Sequence, residues 1–286
     1  MKTNISSEKL DNTLLAELLK TLSLCFTNLG LDFFVIGATA RDIVMGQLMN
    51  VESARKTKDL DIAVMINDWN RFDELSAALQ NVGCTKDPSC HQRFYYNEVY
   101  ELDVVPYGNI AQNDIIIWPP EEEIAMSVKG FDSVFNDTLT ISIDGTTDIK
   151  IASIYGLWLL KLNAWLDRCI ETDKDAVDMW FIIDNYFLSN CERKVHQEVY
   201  DFPDFSETVA GATWLAYDVA TLLNKEQLIY YKDSIAKDIG KNEESRLINQ
   251  ILDNNRIRYE EVESTWEHIV STFENEINNR YNEHHI

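Results

Sequence analysis

Two aspartates at alternate positions of a short apolar run, Asp59 and Asp61, have the spacing of carboxylates that share a cation. They alternate with Leu60 and Ile62 in TKDLDIAV, so on a β-strand both carboxylates project from one face while the apolar pair enters the core. Neighbouring carboxylates raise each other's proton affinity unless a cation neutralises them. Magnesium prefers such hard oxygen ligands and fills its other positions with water and phosphate oxygens. The spacing therefore predicts a magnesium-binding pair.

A third acid follows on a second predicted strand, residues 99–105, where Asp103 shares a face with Glu101. Three carboxylates on adjacent strands would hold two magnesium ions, one activating an attacking hydroxyl and one supporting a triphosphate and its leaving pyrophosphate. Asp103 could then also serve as the base for that hydroxyl. For Asp59 and Asp61 the alternative is a pair of solvated acids on an edge strand, flanked by Lys56 and Lys58. For Asp103 the alternative is an outward-facing acid of the kind that alternation alone places on many strands.

A glycine turn lies upstream of the aspartate pair. Residues 33–36 predict a short buried strand, and the turn at Gly37, Ala38 and Thr39 leads into a predicted helix over residues 41–49. A helix N-terminus presents backbone N–H groups and the positive end of the helix dipole to an anion. Since glycine lets a phosphate approach the backbone closely, this turn is a candidate triphosphate site.

These two features together carry a family resemblance over residues 33–66. VIGATARDIVMG resembles the GGxxRDxxxG signature of the polymerase-beta-like nucleotidyltransferases, which include tRNA CCA-adding enzymes and bacterial poly(A) polymerases, and KTKDLDIAV resembles their metal motif. Ala38 stands where a second Gly or a Ser is usual. The chain lacks the Arg-rich motif and the base-selecting neck motif of the CCA-adding enzymes, which argues against templated CCA addition.

A second resemblance lies further along the chain. KLNAWLDRCIETDKDAVD resembles the K-x-x-A-x-x-x-R and K/R-D-x-x-D pattern of the AbiEii/AbiGii-type nucleotidyltransferases. These are the toxin members of abortive-infection and toxin-antitoxin systems, so this resemblance implies an antitoxin protein as a possible partner. It also implies that Lys161 approaches the nucleotide phosphates and that Asp178 matches the last acid of the family's pattern.

The chemistry of Lys161 supports a site on independent grounds. The predicted helix around it is apolar on nearly every face, so the ammonium is at least partly buried and needs an anion. Lys161 shares a helix face with Trp165 and Arg168. The alternative is a helix face that forms salt bridges with nearby acids: Asp167, Glu171 or Asp175.

Together, motifs and resemblances imply magnesium-dependent transfer of a nucleoside monophosphate from an NTP to a hydroxyl acceptor, with release of pyrophosphate. The expected metal ligands are Asp59, Asp61 and Asp103, and the expected catalytic residues are these three with Lys161. The expected nucleotide-binding residues are Gly37, Ala38, Thr39, Arg41, Lys161, Arg168 and Asp178. For Arg41 the alternative is an ion pair with Asp42 or a helix cap.

The elements that must position these residues follow from hydrophobic periodicity. Helices are predicted over residues 14–29, 41–49, 69–81, 151–168, 173–187, 208–223, 243–252 and 259–280, with a short one over residues 121–123. Strands are predicted over residues 33–36, 60–66, 93–96, 99–105, 115–118 and 139–143. The fold class is therefore α/β (α+β), with a nucleotidyltransferase head, residues 1–150, of a mixed sheet flanked by helices. An all-α part, residues 151–286, follows, and its core is predicted to contain Trp158, Trp165, Trp180 and Trp214.

Composition limits the partners. The 286 residues include 48 acidic and 25 basic side chains, for a formal charge of -23. Nucleic-acid affinity rests mainly on cationic contacts, so an RNA partner must meet a local basic patch. Five scattered cysteines without a CxxC pair argue against a disulfide framework or a zinc site. With no leader-like or membrane-length apolar run, we expect a cytoplasmic protein with no membrane partner.

The acceptor is left open by the residues. RNA such as tRNA, a protein, and a cationic small molecule of the aminoglycoside kind are all candidates. A catalytically silent module that binds a nucleotide or a protein is the rival of a different class, with Ala38 as a first sign of decay. Retention of all three aspartates argues against that rival.

Overall fold

A computed structural model describes residues 2–10, 13–48, 59–119 and 125–281. Lys56, Lys58 and the short helix predicted over residues 121–123 lie outside the described residues. The chain divides into two compact units, Met1–Leu157 and Trp158–Ile286. The predicted domain limits, 1–150 and 151–286, stay a prediction.

The first unit contains the described strands. They are β1 (Lys2–Ile5), β2 (Phe33–Ile36), β3 (Asp59–Met65), β4 (Cys84–Lys86), β5 (Arg93–Tyr96), β6 (Tyr100–Tyr107), β7 (Ile115–Ile117), β8 (Ala125–Ser127), β9 (Leu139–Ile143) and β10 (Thr147–Ile151). Its helices are α1 (Thr13–Leu29), α2 (Gly37–Asp42), which continues as a π-helical segment (Ile43–Leu48), α3 (Trp69–Asn81) and α4 (Phe131–Asn136).

Eight of these strands form one mixed sheet in the order β1-β9-β10-β2-β3-β6-β5-β4, while β7 and β8 pair separately. The strand pairs β1–β9, β10–β2 and β3–β6 are parallel and the others in the sheet are antiparallel. The sheet is flanked by helices and a helical part follows, which confirms the predicted fold class. Because β3 lies between β2 and β6, the alternative that placed its aspartates on an edge strand is wrong.

The alternation predicted for β3 is confirmed. Leu60 and Ile62 are fully buried, whereas Asp59 and Asp61 are half-buried on the other face. Strand β2 is buried along its whole length, as expected for an interior strand covered on both faces. The core therefore holds β3 in place from one side and leaves its acidic face for other contacts.

Several predicted elements begin one to four residues from their predicted starts, and two of these shifts change the kind of structure assigned. The segment predicted to be a turn at residues 37–39 is already helical, because α2 starts at Gly37. The helix predicted from residue 151 starts at Ile154, because residues 147–151 pair with β9 as a strand. Buried Ile149 and Ile151 alternate with polar residues along this strand.

Helices make up most of the second unit. The division between the units falls within α5 (Ile154–Arg168). The helices that follow are α6 (Lys174–Ser189), α7 (Glu207–Thr221), α8 (Lys225–Ile239), α9 (Arg246–Asn254) and α10 (Tyr259–Tyr281). Helix α7 packs against α6 and α10. The predicted core tryptophans are all buried: Trp158, Trp165, Trp180 and Trp214. No helix in the described parts of the chain is long and apolar enough to span a membrane.

Candidate active site

Four carboxylates lie on one face of two parallel strands. In the register of β3 and β6, Asp61 is opposite Asp103 and Asp59 is opposite Glu101. All four residues are half-buried, and their described neighbours along each strand are buried. Strands in a sheet are about 4.8 Å apart, so these side chains are close neighbours. We call this set, Asp59, Asp61, Glu101 and Asp103, the carboxylate grid.

The glycine at the end of β2 contacts the grid directly. Ile36 is the register partner of Asp61, and the next residue, Gly37, has φ +71°. A Cβ atom at Gly37 would lie 2.0 Å from Oδ2 of Asp61. Glycine is therefore required here both for the left-handed backbone and for the space that the carboxylate occupies.

The first turn of α2 begins at this contact. Its N-cap residue, Ile36, makes no side-chain cap, since an isoleucine has no acceptor to offer to the first N–H groups. Ala38 is half-buried in this turn. The predicted phosphate residues Gly37 and Ala38 thus start a helix beside Asp61, whereas their contact with a phosphate stays a prediction.

Thr39 ties this helix to the grid through the backbone. Its hydroxyl donates a 2.6 Å hydrogen bond to the carbonyl oxygen of Asp59, and the side chain is buried. The hydroxyl of Tyr100 lies next to it: burial raises the pKa of Tyr100, a hydrogen bond with Thr39 opposes this, and the charges of Asp59 and Asp61 add to it. Thr39 therefore fixes the start of β3, and its predicted contact with a nucleotide stays a prediction.

Arg93 on β5 is a site residue that the sequence analysis missed. It is the register partner of Asp103, and its Nε and Nη2 each donate a 2.8 Å hydrogen bond to one oxygen of that carboxylate. Its Nη2 also lies 2.7 Å from Oε1 of Glu101. These contacts raise the pKa of Arg93, the hydrogen bonds with Asp103 being the largest cause. Burial raises the pKa of Glu101, and the charges of Asp103 and Asp59 add to this against the effect of Arg93.

The charges of the grid suit a hard cation at Asp59 and Asp61. Among the described residues, these four carboxylates stand beside the positive charge of Arg93, and a divalent ion would relieve their repulsion. Among the described residues, no group of three or more His, Cys, Asp or Glu side chains is arranged to hold a metal ion. Both oxygens of Asp103 face Arg93 instead, so the metal role of Asp103 stays a prediction.

Lys161 belongs to an ion-pair cluster within the second unit. Its Nζ lies 2.7 Å from Oδ2 of Asp178 and 3.2 Å from Oδ1 of Asp175. Asp175 is fully buried and accepts two further hydrogen bonds from Arg168, of 2.8 and 3.0 Å. The predicted burial of Lys161 against an anion is confirmed, and so is the alternative that this helix face forms salt bridges with Asp175.

The pKa values of this cluster follow from its pairing. Burial lowers the pKa of Lys161, but Asp178 and Asp175 outweigh that effect and the net shift is upward. Burial raises the pKa of Asp175, yet the hydrogen bonds from Arg168 and the charge of Lys161 lower it overall. Protein partners thus stabilise these charges, and the predicted nucleotide contacts of Lys161, Arg168 and Asp178 stay predictions.

Arg41 forms the ion pair with Asp42 that was the alternative to a nucleotide contact. Its Nε and Nη2 donate hydrogen bonds of 3.0 and 2.9 Å to Oδ1 of Asp42. The side chain of Arg41 is buried in spite of its charge. A structural role therefore accounts for Arg41, and a contact with a nucleotide stays a prediction.

The chain matches no protein-family model and no curated protein. Among solved structures it is similar to an antigenic nucleotidyltransferase-like protein from Paracoccidioides brasiliensis, at 17% identity and TM-score 0.42, over 74% of this chain and 93% of the other. It is similar to the lincomycin-bound lincosamide antibiotic adenylyltransferase LnuA, at 17% identity and TM-score 0.35, over 57% and 92%. It is also similar to the Elizabethkingia meningoseptica cyclic dinucleotide synthase CdnE, at 12% identity and TM-score 0.28, over 97% and 94%. Likenesses at this level assign neither an activity nor a substrate to this chain.

Proposed function

We propose that this protein is a polymerase-beta-like nucleotidyltransferase, an enzyme that transfers a nucleoside monophosphate from an NTP to a hydroxyl acceptor and releases pyrophosphate. The observation that carries the proposal is the contact between Gly37 and the carboxylate of Asp61. It joins the two sequence motifs in space, because a glycine-led helix N-terminus suited to phosphates then lies beside carboxylates suited to a metal.

The three aspartates of the grid each have a part in this proposal. Asp59 and Asp61 hold magnesium, and Asp103 either completes the metal site or accepts the proton of the attacking hydroxyl. When bound, magnesium supplies charge neutralisation for the triphosphate and lowers the pKa of the hydroxyl. The backbone N–H groups at Gly37 and Ala38 bind phosphate oxygens, so most of the catalysis is positioning and charge stabilisation. Two magnesium ions are expected when all three aspartates take part.

The finer assignment is to the toxin-type enzymes, and it rests on the motif around Lys161. In this assignment Lys161, Arg168 and Asp178 contribute to nucleotide binding, and an antitoxin is a partner. The salt bridges within the second unit explain the same residues without a nucleotide. The sequence motif around Lys161 is therefore the one observation that supports the toxin role.

Label transfer tests the proposed function. The full chain is incubated with magnesium and each α-labelled NTP, together with total RNA, tRNA, a protein mixture or an aminoglycoside, and pyrophosphate and labelled acceptor are measured. We expect Asp59→Asn and Asp61→Asn to lose at least about 1,000-fold in rate, since each removes charge stabilisation from the transition state. The exposed Asp73 on α3 supplies the matched control, and Asp73→Asn should retain the wild-type rate.

The outcomes separate the rival classes. Pyrophosphate release in no mixture, together with magnesium-dependent binding of an NTP, would identify a catalytically silent binding module. Equal rates in Asp61→Asn and the wild type would overturn the metal assignment. If transfer occurs, the acceptor that becomes labelled identifies the acceptor class, and for a nucleic acid the affinity should also fall steeply with salt.

A further inference from the structure

Arg93 engages both carboxylate oxygens of Asp103, the third aspartate of the grid. The guanidinium forms a bidentate pair with Asp103 at 2.8 Å on each side. Bidentate arginine–carboxylate pairs are the strongest and geometrically most defined of such contacts. A divalent cation at Asp103 would meet this fixed positive charge, and like charges at such a distance repel.

Glu101 is a second hydrogen-bond acceptor to which Arg93 can pair when it releases Asp103. Its Nη2 already lies 2.7 Å from Glu101, whose carboxylate precedes Asp103 by two residues on the same strand face. The side chain of Arg93 is 30% exposed, so it has room to move toward the solvent side. If Arg93 pairs with Glu101 alone, its charge stays compensated, and the cost of releasing Asp103 is limited.

We propose that Arg93 and a divalent cation compete for Asp103, so that Arg93 neutralises this carboxylate without metal and moves to Glu101 when metal binds. The proposal rests on the proposed function, since it assumes a metal site at Asp59 and Asp61. Arg93 is then a positioning residue that weakens binding of the cation shared with Asp103. Occupancy of the cation site at Asp103 then requires a higher metal concentration, or a bound triphosphate whose negative charge attracts the cation.

Manganese binding to the full chain, measured by the electron paramagnetic resonance signal of free Mn²⁺, tests the competition. We expect Arg93→Gln to bind Mn²⁺ about tenfold more tightly than the wild type at the cation site that includes Asp103. Arg93→Lys keeps the charge but loses the bidentate geometry, so its affinity should lie between the two. The gain should disappear in the double variant Arg93→Gln/Asp103→Asn. Circular dichroism checks that each variant is folded.

Arg71→Gln is the matched control, because it makes the same charge change in the same unit. Arg71 lies on α3 and pairs with Glu74 and the carbonyl of Leu29, and its variant should stay within about twofold of the wild type. Unchanged affinity in Arg93→Gln, or a gain that survives Asp103→Asn, overturns the competition. Mn²⁺ binding that is the same in Asp61→Asn and the wild type overturns the proposed metal site itself, so the two failures are distinguishable.

Discussion

The backbone at Gly37 has φ +71°, and a Cβ atom there would lie 2.0 Å from Oδ2 of Asp61. An alanine would have to accept a strained backbone and also displace the carboxylate or the first turn of α2. We expect Gly37→Ala to lower the free energy of unfolding by about 2–4 kcal/mol. We also expect it to weaken Mn²⁺ binding, because Asp61 is a proposed ligand. Chemical denaturation and a Mn²⁺ titration measure the two effects.

Gly145 provides the control for this prediction. Its φ is +69°, nearly that of Gly37, but a Cβ atom there would meet nothing within 4 Å. Gly145→Ala should therefore cost only the backbone strain, about 1 kcal/mol, and leave Mn²⁺ binding unchanged. Equal losses of stability in the two variants would show that the space beside Asp61 is not what requires glycine at position 37.

At the scale of elements, alternation along a strand could be predicted from sequence, but partners across strands could not. The pattern in TKDLDIAV predicts which side chains of β3 are buried, because that information is local. The position of Arg93 opposite Asp103 depends on the register of β5 against β6. That register is set by the left-handed turn at Asn97 and Glu98 between the two strands, and alternation within either strand does not show which turn forms.

The start of α5 shows the same limit. In TDIKIAS the buried Ile149 and Ile151 run directly into an apolar helix. A short apolar run of this kind does not separate a strand from a helix by periodicity alone. Pairing with β9 makes residues 147–151 a strand, since β9 supplies hydrogen-bond partners that an isolated segment lacks.

Helices α5 and α6 are joined by the ion pairs of Asp175, which is fully buried. We expect Asp175→Asn to lower the free energy of unfolding by about 3 kcal/mol near neutral pH, because Lys161 then keeps only Asp178 as a charged partner in this cluster. The exposed Glu171 is the control, and Glu171→Gln should change stability by less than about 0.5 kcal/mol. Urea denaturation measures both variants.

The difference in free energy of unfolding between the wild type and Asp175→Asn depends on pH in a defined direction. The pKa of Asp175 is lowered in the folded protein, so its stabilisation is complete above the ordinary aspartate pKa of about 3.9 and is lost as pH falls through the folded value. The gap between wild type and Asp175→Asn should therefore be constant from about pH 5 to 7 and shrink below about pH 4. A gap that grows on acidification would contradict the assignment of Asp175 as a charged partner.

At the scale of the whole molecule, the formal charge of -23 opposes the compact state. Salt screens this repulsion, since the Debye length falls from about 30 Å at 0.01 M to about 3 Å at 1 M. Salt also weakens surface ion pairs, but 48 acidic side chains against 25 basic ones make repulsion the larger effect. We expect the Tm to rise by several degrees between about 10 mM and 0.5 M NaCl.

Potassium chloride separates screening from ion binding in this experiment. If screening is the cause, KCl and NaCl at equal ionic strength should raise the Tm equally, because the Debye length depends only on ionic strength. A Tm that stays constant or falls with either salt would mean that ion pairs dominate the electrostatics of the molecule.

The central claim is that Asp59 and Asp61 bind the metal that accompanies a triphosphate. Calorimetric titration of the full chain with a nonhydrolysable NTP analogue, with and without magnesium, tests it most directly. The wild type and Asp73→Asn should bind the analogue at least about 100-fold more tightly with magnesium, and Asp61→Asn should lose that gain. Equal magnesium-dependent affinity in Asp61→Asn and the wild type would contradict the claim.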